Sequence, residues 1–335
     1  MSLEKTPVTI ITGFLGAGKT TLIRHLLQNP DGRRLAVLVN EFGDVGVDGD
    51  LIRECADANC PEANILELTN GCICCTVADE FIPAIERLMA MEPRPDHIVI
   101  ETSGLALPKP LLKAFDWPDL RSRITIDGVV AVADAEAVAA GTFAPDPAHP
   151  GAEPDHETPL SEVFEDQIAC ADLVLLSKAD LAGPEGIKAA KQIIAAEAPR
   201  PLPMLPLSEG IIDARVVLGL GAAAEDGLDA RPSHHDGAPD HDHDDFDTVV
   251  IDLPEQNDPE ALVAKIAALG TQGILRVKGH VAVTGKPMRL LIQAVGPRVR
   301  HQFDRPWGAQ PRASRLVVIA QKGDLDRKAV EAALS

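Results

Sequence analysis

As far as residue 180, apolar residues fall into short unbroken runs rich in Val and Ile: "VTIITG", "RLAVLVNEFG", "DHIVIETSG", "IDGVVAVADA" and "ADLVLLSKAD". Between them lie stretches such as "KTTLIRHLLQ", whose apolar positions recur at helical spacing. An unbroken apolar run is what a strand shows when both faces of its sheet are covered, and alternation of such strands with helices gives a parallel sheet between helical layers. The predicted fold class is therefore α/β, with a mostly parallel sheet. "PLPMLPLSEG" predicts one more edge strand, and "GIIDARVVLGL" a helix closing the domain near residue 222.

Two segments interrupt this rhythm. Residues 144–159, "APDPAHPGAEPDHETP", are rich in Pro and acid and predict an exposed loop. Residues 224–247, "AEDGLDARPSHHDGAPDHDHDDFD", offer little to bury and predict a linker. The pattern then restarts with "TVVIDLP", a helix over "DPEALVAKIAALG", strands "GILRVKGHVAVT", "MRLLIQAV" and "SRLVVIAQ", and a helix over "LDRKAVEAAL". The expected organisation is a domain over 1–223, a His/Asp-rich linker over 224–247 and a small α+β domain over 248–335, ordered β-α-β-β-β-α.

Composition narrows the partners. The chain has 335 residues, 45% hydrophobic and 3% aromatic, with no Tyr and a formal charge of −20. Such a charge repels phosphate backbones and anionic lipid while attracting divalent cations, and scarce aromatics leave no stacking platform, so neither nucleic acid nor membrane is expected as a partner. The N-terminal "MSLEKTPVTIITG" lacks the pattern of a signal peptide, and no apolar stretch is long enough to span a bilayer. A cytoplasmic location is expected, and there six cysteines point to metal binding or catalysis before disulfides.

The strongest local signal is "GFLGAGKTT", Gly13 to Thr21, between an apolar strand and an amphipathic helix. Its pattern of Gly, four residues, then Gly-Lys-Thr is that of a phosphate-binding loop. In such a loop the backbone N–H groups of Gly13, Gly16, Ala17 and Gly18, with the helix start at Thr21, cradle phosphates; Lys19 reaches the β and γ phosphates and the Thr20 hydroxyl holds Mg²⁺. Glu101 ends the strand of "HIVIETSG", where it would act on Mg²⁺ through water, and Gly104 follows at the interval of a γ-phosphate sensor. "LVLLSKAD" places Ser177, Lys178 and Asp180 after another strand. A carboxylate there accepts from guanine N1–H and its exocyclic amine, which selects GTP, while the Lys178 stem packs across the base. Ser177 stands where Asn is usual. Ser208 and Glu209 are candidates for a second guanine-contacting loop.

"TNGCICCTVAD" gathers Cys72, Cys74 and Cys75 on one turn, too close for an unstrained disulfide among them. Thiolates bind Zn²⁺ or Co²⁺, and an incomplete thiolate set suits an ion that is exchanged. Cys55 and Cys60 are possible further ligands or an ordinary loop, and Cys170 is expected in the core. In "SHHDGAPDHDHDD", His234, His235, His241 and His243 stand among aspartates, an accessory metal-gathering tether or a solvated acidic linker.

Taken in order, "TGFLGAGKTTL", "NEFGDVGVDGDL", "GCICC", "ETSGLALP" and "SKAD" resemble the CobW-type P-loop GTPase metallochaperones, over both domains and the His-rich joint. The resemblance implies a GTPase domain with slow intrinsic hydrolysis, a CobW C-terminal domain, cycling between GTP and GDP, and delivery of Co²⁺ to cobaltochelatase for corrin metallation. It also assigns the cysteine motif to the transported metal and Glu41 to the nucleotide metal, with Asp44 and Asp48 as further candidates. Two other readings stay open: a zinc or nickel chaperone serving another client, and a non-catalytic metal-storing or sensing module.

Overall fold

The computed structural model describes residues 5–40, 52, 64–68, 81–141, 159–233, 246–307, 312–321 and 323–334. The chain divides into two compact units. Glu41, Asp44, Asp48, Cys55, Cys60, Cys72, Cys74, Cys75, His234, His235, His241 and His243, like the acidic loop at 144–158, lie outside the described residues.

In chain order the first unit contains β1 (Thr6–Thr12), α1 (Lys19–Gln28), β2 (Leu35–Asn40), β3 (Ile65–Leu68), α2 (Ile82–Met89), β4 (His97–Glu101), α3 (Pro108–Ala114), α4 (Pro118–Arg121) and β5 (Ile124–Asp134). It continues with α5 (Ala135–Ala139), α6 (Pro159–Cys170), β6 (Leu173–Ser177), α7 (Ala179–Glu197), β7 (Met204–Pro206), α8 (Ala214–Val217) and a 3₁₀ turn, Ala224–Ala230. Its strands form one sheet ordered β3-β2-β4-β1-β5-β6-β7, with every described pairing parallel.

The unbroken apolar runs are explained by two-sided burial. Val8, Ile10, Leu38, Ile98 and Ile100 pack into one core with Phe81, Leu88 and Phe115. Their neighbours Ile11, Val37 and Val99 pack into another with Leu22, Ile23 and Leu26 of α1. Phe81 and Phe115 meet edge to face with ring centres 5.3 Å apart, a favoured aromatic geometry.

A bulge in β5 carries out a separate task at the amino ends of the strands. Val8 pairs with Ile126 but Thr9 with Gly128, leaving Asp127 as the extra residue. Bulges re-aim side chains. The Asp127 carboxylate accepts from the backbone N–H of Gly219 at 2.7 Å, Leu220 at 3.0 Å and Gly221 at 2.9 Å. Thr9 Oγ1 lies 3.2 Å from Asp127 and 2.8 Å from His97 Nε2. His97 is 2% exposed, and burial, partly opposed by the Asp127 charge and aided by Arg33, pushes its pKa down to about 4.

Residues 224–233 correct the expected linker boundary. Glu225 accepts from the Ile126 N–H at 2.8 Å and from Thr125 Oγ1 at 2.7 Å, while Arg231, 4% exposed, pairs with Asp172 at 2.7 Å. These polar residues are buried because each finds a partner on the sheet or beside α6, so the first unit runs beyond residue 223. Only Ala214–Val217 of the expected closing helix is helical.

The second unit comprises β8 (Phe246–Leu253), α9 (Pro259–Gly270), β9 (Ile274–Val281), β10 (Met288–Val295), β11 (Arg298–Pro306), β12 (Ser314–Gln321) and α10 (Arg327–Leu334). Its antiparallel sheet runs β11-β10-β9-β12-β8. Val249, Ile251, Ile292, Leu316 and Val318 pack against Leu262 and Ile266 of α9 and Val330 and Leu334 of α10. Asp258 caps α9 by accepting from the Ala261 N–H at 3.1 Å, with Pro259 at the first helical position, where its missing N–H costs nothing. Strand β11 was not predicted, so the observed order is β-α-β-β-β-β-α. Among the described residues no helix is long and apolar enough to cross a membrane.

Candidate functional site

Because the strands of the first sheet are parallel, their carboxyl ends share one edge, where ligands of open α/β sheets gather. The β1–α1 loop occupies the middle of that edge. Gly13 has φ +136, and a Cβ there would lie 2.1 Å from the Val132 carbonyl oxygen, so the loop can leave β1 this close to β5 only with glycine. Gly16 and Gly18 also have positive φ, and the Leu22 N–H donates to the Gly18 carbonyl at 3.0 Å as α1 begins. Lys19, 5% exposed, donates to the carbonyls of Gly13 at 2.8 Å and Phe14 at 3.3 Å. Its ammonium is thereby folded back over the loop.

The next strand supplies the acid. Glu101 ends β4, adjacent to β1, and its Oε1 accepts from Thr20 Oγ1 at 2.8 Å. Thr102 extends the junction, its N–H donating to Ile11 at 3.0 Å and its hydroxyl to Thr12 Oγ1 at 3.1 Å. Gly104 lies against the phosphate loop, where a Cβ would come within 2.9 Å of Leu15 N. A hydroxyl beside a carboxylate is a set of hard oxygen donors, and it fits Mg²⁺.

On the other side of β1, Ser177 ends β6 with its hydroxyl 2.5 Å from the Ala17 carbonyl and 3.2 Å from that of Ala133. This substitute for the usual Asn touches the phosphate loop. Lys178, in the left-handed region at φ 53, pairs with Asp134, whose other oxygen accepts from the Ala137 N–H at 3.1 Å and caps α5. Asp180 is exposed in the first turn of α7. The Ala179 N–H donates to Leu207 at 3.2 Å, which sets the exposed Ser208 and Glu209 beside this loop, while Gly210 packs against Thr21.

The structure thus brings together Lys19, Thr20, Glu101, Gly104, Ser177, Lys178 and Asp180 at one sheet edge. Among the described residues no group of three or more His, Cys, Asp or Glu is placed to hold a metal. Cys170 is fully buried in the core. Sequence reasoning missed two side chains at this edge. Asp134 had a signal, an acid between an apolar run and a helix. Gln167 had none: it lies on α6 and donates to the Gly104 and Ala106 carbonyls, both at 3.2 Å.

Residues 7–201 match the nucleotide-binding domain of CobW, HypB and UreG, and residues 246–335 match the C-terminal domain of the cobalamin synthesis protein cobW. The chain belongs to the CobW/HypB/UreG family. It is 50% identical to a Sinorhizobium sp protein named zinc chaperone CobW, with 99% of this chain and 97% of that protein aligned. A Pseudomonas aeruginosa protein of the same name is 49% identical over 98% of this chain and 90% of its own length. The Escherichia coli zinc chaperone YjiA is 31% identical over 93% of each. Within the CobW/HypB/UreG family this chain has the two-part form, a P-loop GTPase domain joined to a cobW C-terminal domain.

Proposed function

We propose that this chain is a GTP-hydrolysing metallochaperone that takes up a divalent metal in its GTP-bound state and releases it to a client protein after slow hydrolysis. The observation that carries the nucleotide half is the convergence of the phosphate loop, the Thr20–Glu101 pair and the Ser177–Asp180 loop on one sheet edge. Lys19 leaves its loop carbonyls for the β and γ phosphates. Gly104 meets the γ phosphate, and Asp180 accepts from guanine. Thr20 and Glu101 would hold Mg²⁺, which supplies charge neutralisation between the β and γ phosphates.

The transported metal is assigned to Cys72, Cys74 and Cys75, with Glu41 assigned to the nucleotide metal and His234, His235, His241 and His243 as accessory ligands. Zinc is favoured by the zinc-chaperone names of the relatives. Cobalt, delivered to cobaltochelatase, is the second reading, favoured by the match of residues 246–335 to a cobalamin synthesis domain. Thiolate ligands alone do not separate the two ions.

The test is a titration of Zn²⁺ and Co²⁺ at buffered free concentrations against protein loaded with a slowly hydrolysed GTP analogue or with GDP. Tighter binding in the GTP-analogue state is expected. Equal affinities in the two states would end the proposal, because a ligand bound equally shifts no equilibrium. Cys74→Ser should weaken metal binding and spare GTP, whereas Lys19→Ala should weaken both.

A further inference from the structure

Gln167 is 1% exposed and spends its amide on the segment that follows Glu101. Both of its N–H donors face backbone carbonyls, those of Gly104 and Ala106 at 3.2 Å each. Two facing carbonyls fix the amide's orientation, since only the NH₂ end can donate to them. Its carbonyl end, Oε1, is buried with no hydrogen-bond partner among the described residues. A buried acceptor left in this condition is costly. The position therefore holds a double donor turned toward two backbone carbonyls, which an apolar side chain of similar size would leave without it.

The same helix grips a second segment. Asp166, 2% exposed, accepts from Ser233 Oγ at 2.6 Å. Cys170, one helical turn further along on the same face, accepts from Arg231 through its backbone carbonyl, and Asp172 just beyond α6 accepts from Arg231 at 2.7 Å. Helix α6 thus holds residues 104–106 by one side chain and residues 231–233 by its adjacent face. Residues 231–233 are the last described stretch of the first unit.

We infer that Gln167 is a positioning residue for the loop at Gly104–Ala106, and that α6 relays the nucleotide state of that loop to Arg231–Ser233. This deepens the proposed function and rests on its assignment of Gly104 to the γ phosphate. The loop is the element with two states. In one, its carbonyls are held by the Gln167 amide; in the other, the Gly104 peptide turns toward phosphate and the hold on α6 changes. A relay of this kind requires that both ends bias the same element, which makes it measurable.

The experiment is hydrogen exchange on the full chain with GTP analogue and with GDP, alongside the affinities for both nucleotides. In the unmodified protein, exchange at 103–107 and at 224–233 should both differ between nucleotides. Gln167→Leu, which keeps volume and removes both donors, should change the ratio of GTP-analogue to GDP affinity by about tenfold. Gln167→Glu, which keeps shape and presents acceptors to the two carbonyls, should change it further. Asp166→Ala, which removes one of the contacts to 231–233, should reduce the response at 224–233 while 103–107 still responds.

If exchange at 103–107 ignores the nucleotide, the role of Gly104 and this inference fall together. If 103–107 responds but 224–233 does not, or if neither Gln167 variant alters the affinity ratio, the inference alone is overturned. The exchange measurement on the unmodified chain decides the relay even where a variant does not fold.

Discussion

The two sheets of this chain differ in what they leave exposed. In the parallel sheet every residue of β2 and β4 is buried, whichever way it points. In the antiparallel sheet the inner strand β9 is nearly as buried, but the edge strand β11 has only exposed and half-buried positions, with Phe303 42% exposed. A sheet covered on both faces has only its strand ends left for chemistry, and there the phosphate loop, Glu101 and the Ser177–Asp180 loop all stand. Among the described residues, the second sheet has no such concentration of candidate residues at its strand ends.

The largest expected effect breaks this comparison at matched glycines. A Cβ on Gly13 would lie 2.1 Å from the Val132 oxygen, and one on Gly279, in β9, 2.0 Å from the Arg315 oxygen. Each change to Ala should cost about 4 kcal/mol, because backbone on both sides must move. Gly13→Ala should lower protection of the first unit and abolish nucleotide binding. Gly279→Ala should lower that of the second unit with nucleotide affinity retained. Hydrogen exchange read separately for the two units checks this, and equal loss in both would mean that they unfold together.

Acid should separate the units next. His97 has its pKa lowered from 6.5 to about 4, so between these values the unfolded chain binds the extra proton and stability falls as pH falls. The first unit should lose about 3 kcal/mol over that window. In the second unit burial alone would raise the pKa of Asp304, yet the Arg289 hydrogen bond and the backbone N–H of Arg305 hold it below 3.8. Its contribution is present above that value and is lost only as pH falls further. Denaturant titrations at pH 7, 5 and 4 should show the first unit weakening first, and His97→Gln should flatten its slope.

The smallest effect concerns an ion pair that looks strong on paper. Arg315 Nε lies 2.7 Å from Asp252, but the two side chains are 53% and 67% exposed. Arg315→Ala should change stability by less than about 0.5 kcal/mol, since exposed pairs are screened and entropically costly. Thermal melts at low and high salt would check it; a larger, salt-insensitive loss would show that the guanidinium packs as well as pairs.

What was legible in the sequence follows from how local each signal is. The parallel sheet could be read because two-sided burial leaves an unbroken apolar run, and the phosphate loop, Glu101 and "SKAD" because each is a contiguous string. Strand β11, "RVRHQFDRP", carries Arg, His and Asp through an irregular mix of exposed and half-buried positions, so neither hydropathy nor a clean period of two marks it. Residues 224–233 look like linker because they are polar, and only their partners, Ile126 for Glu225 and Asp172 for Arg231, make burial favourable. Gln167 acts on residues more than sixty positions earlier, a relation no local pattern records.

The bulge at Asp127 has a consequence at the far end of the sheet from the nucleotide loop. Successive N–H groups of a glycine-rich turn converge on its carboxylate, the kind of concavity in which backbone amides receive an anion. Here the guest is tethered to the host. The amino-end rim therefore keeps its anion for as long as the chain is folded, and no change in nucleotide concentration can empty it. It is a fixed floor at the end of the sheet opposite the phosphate loop.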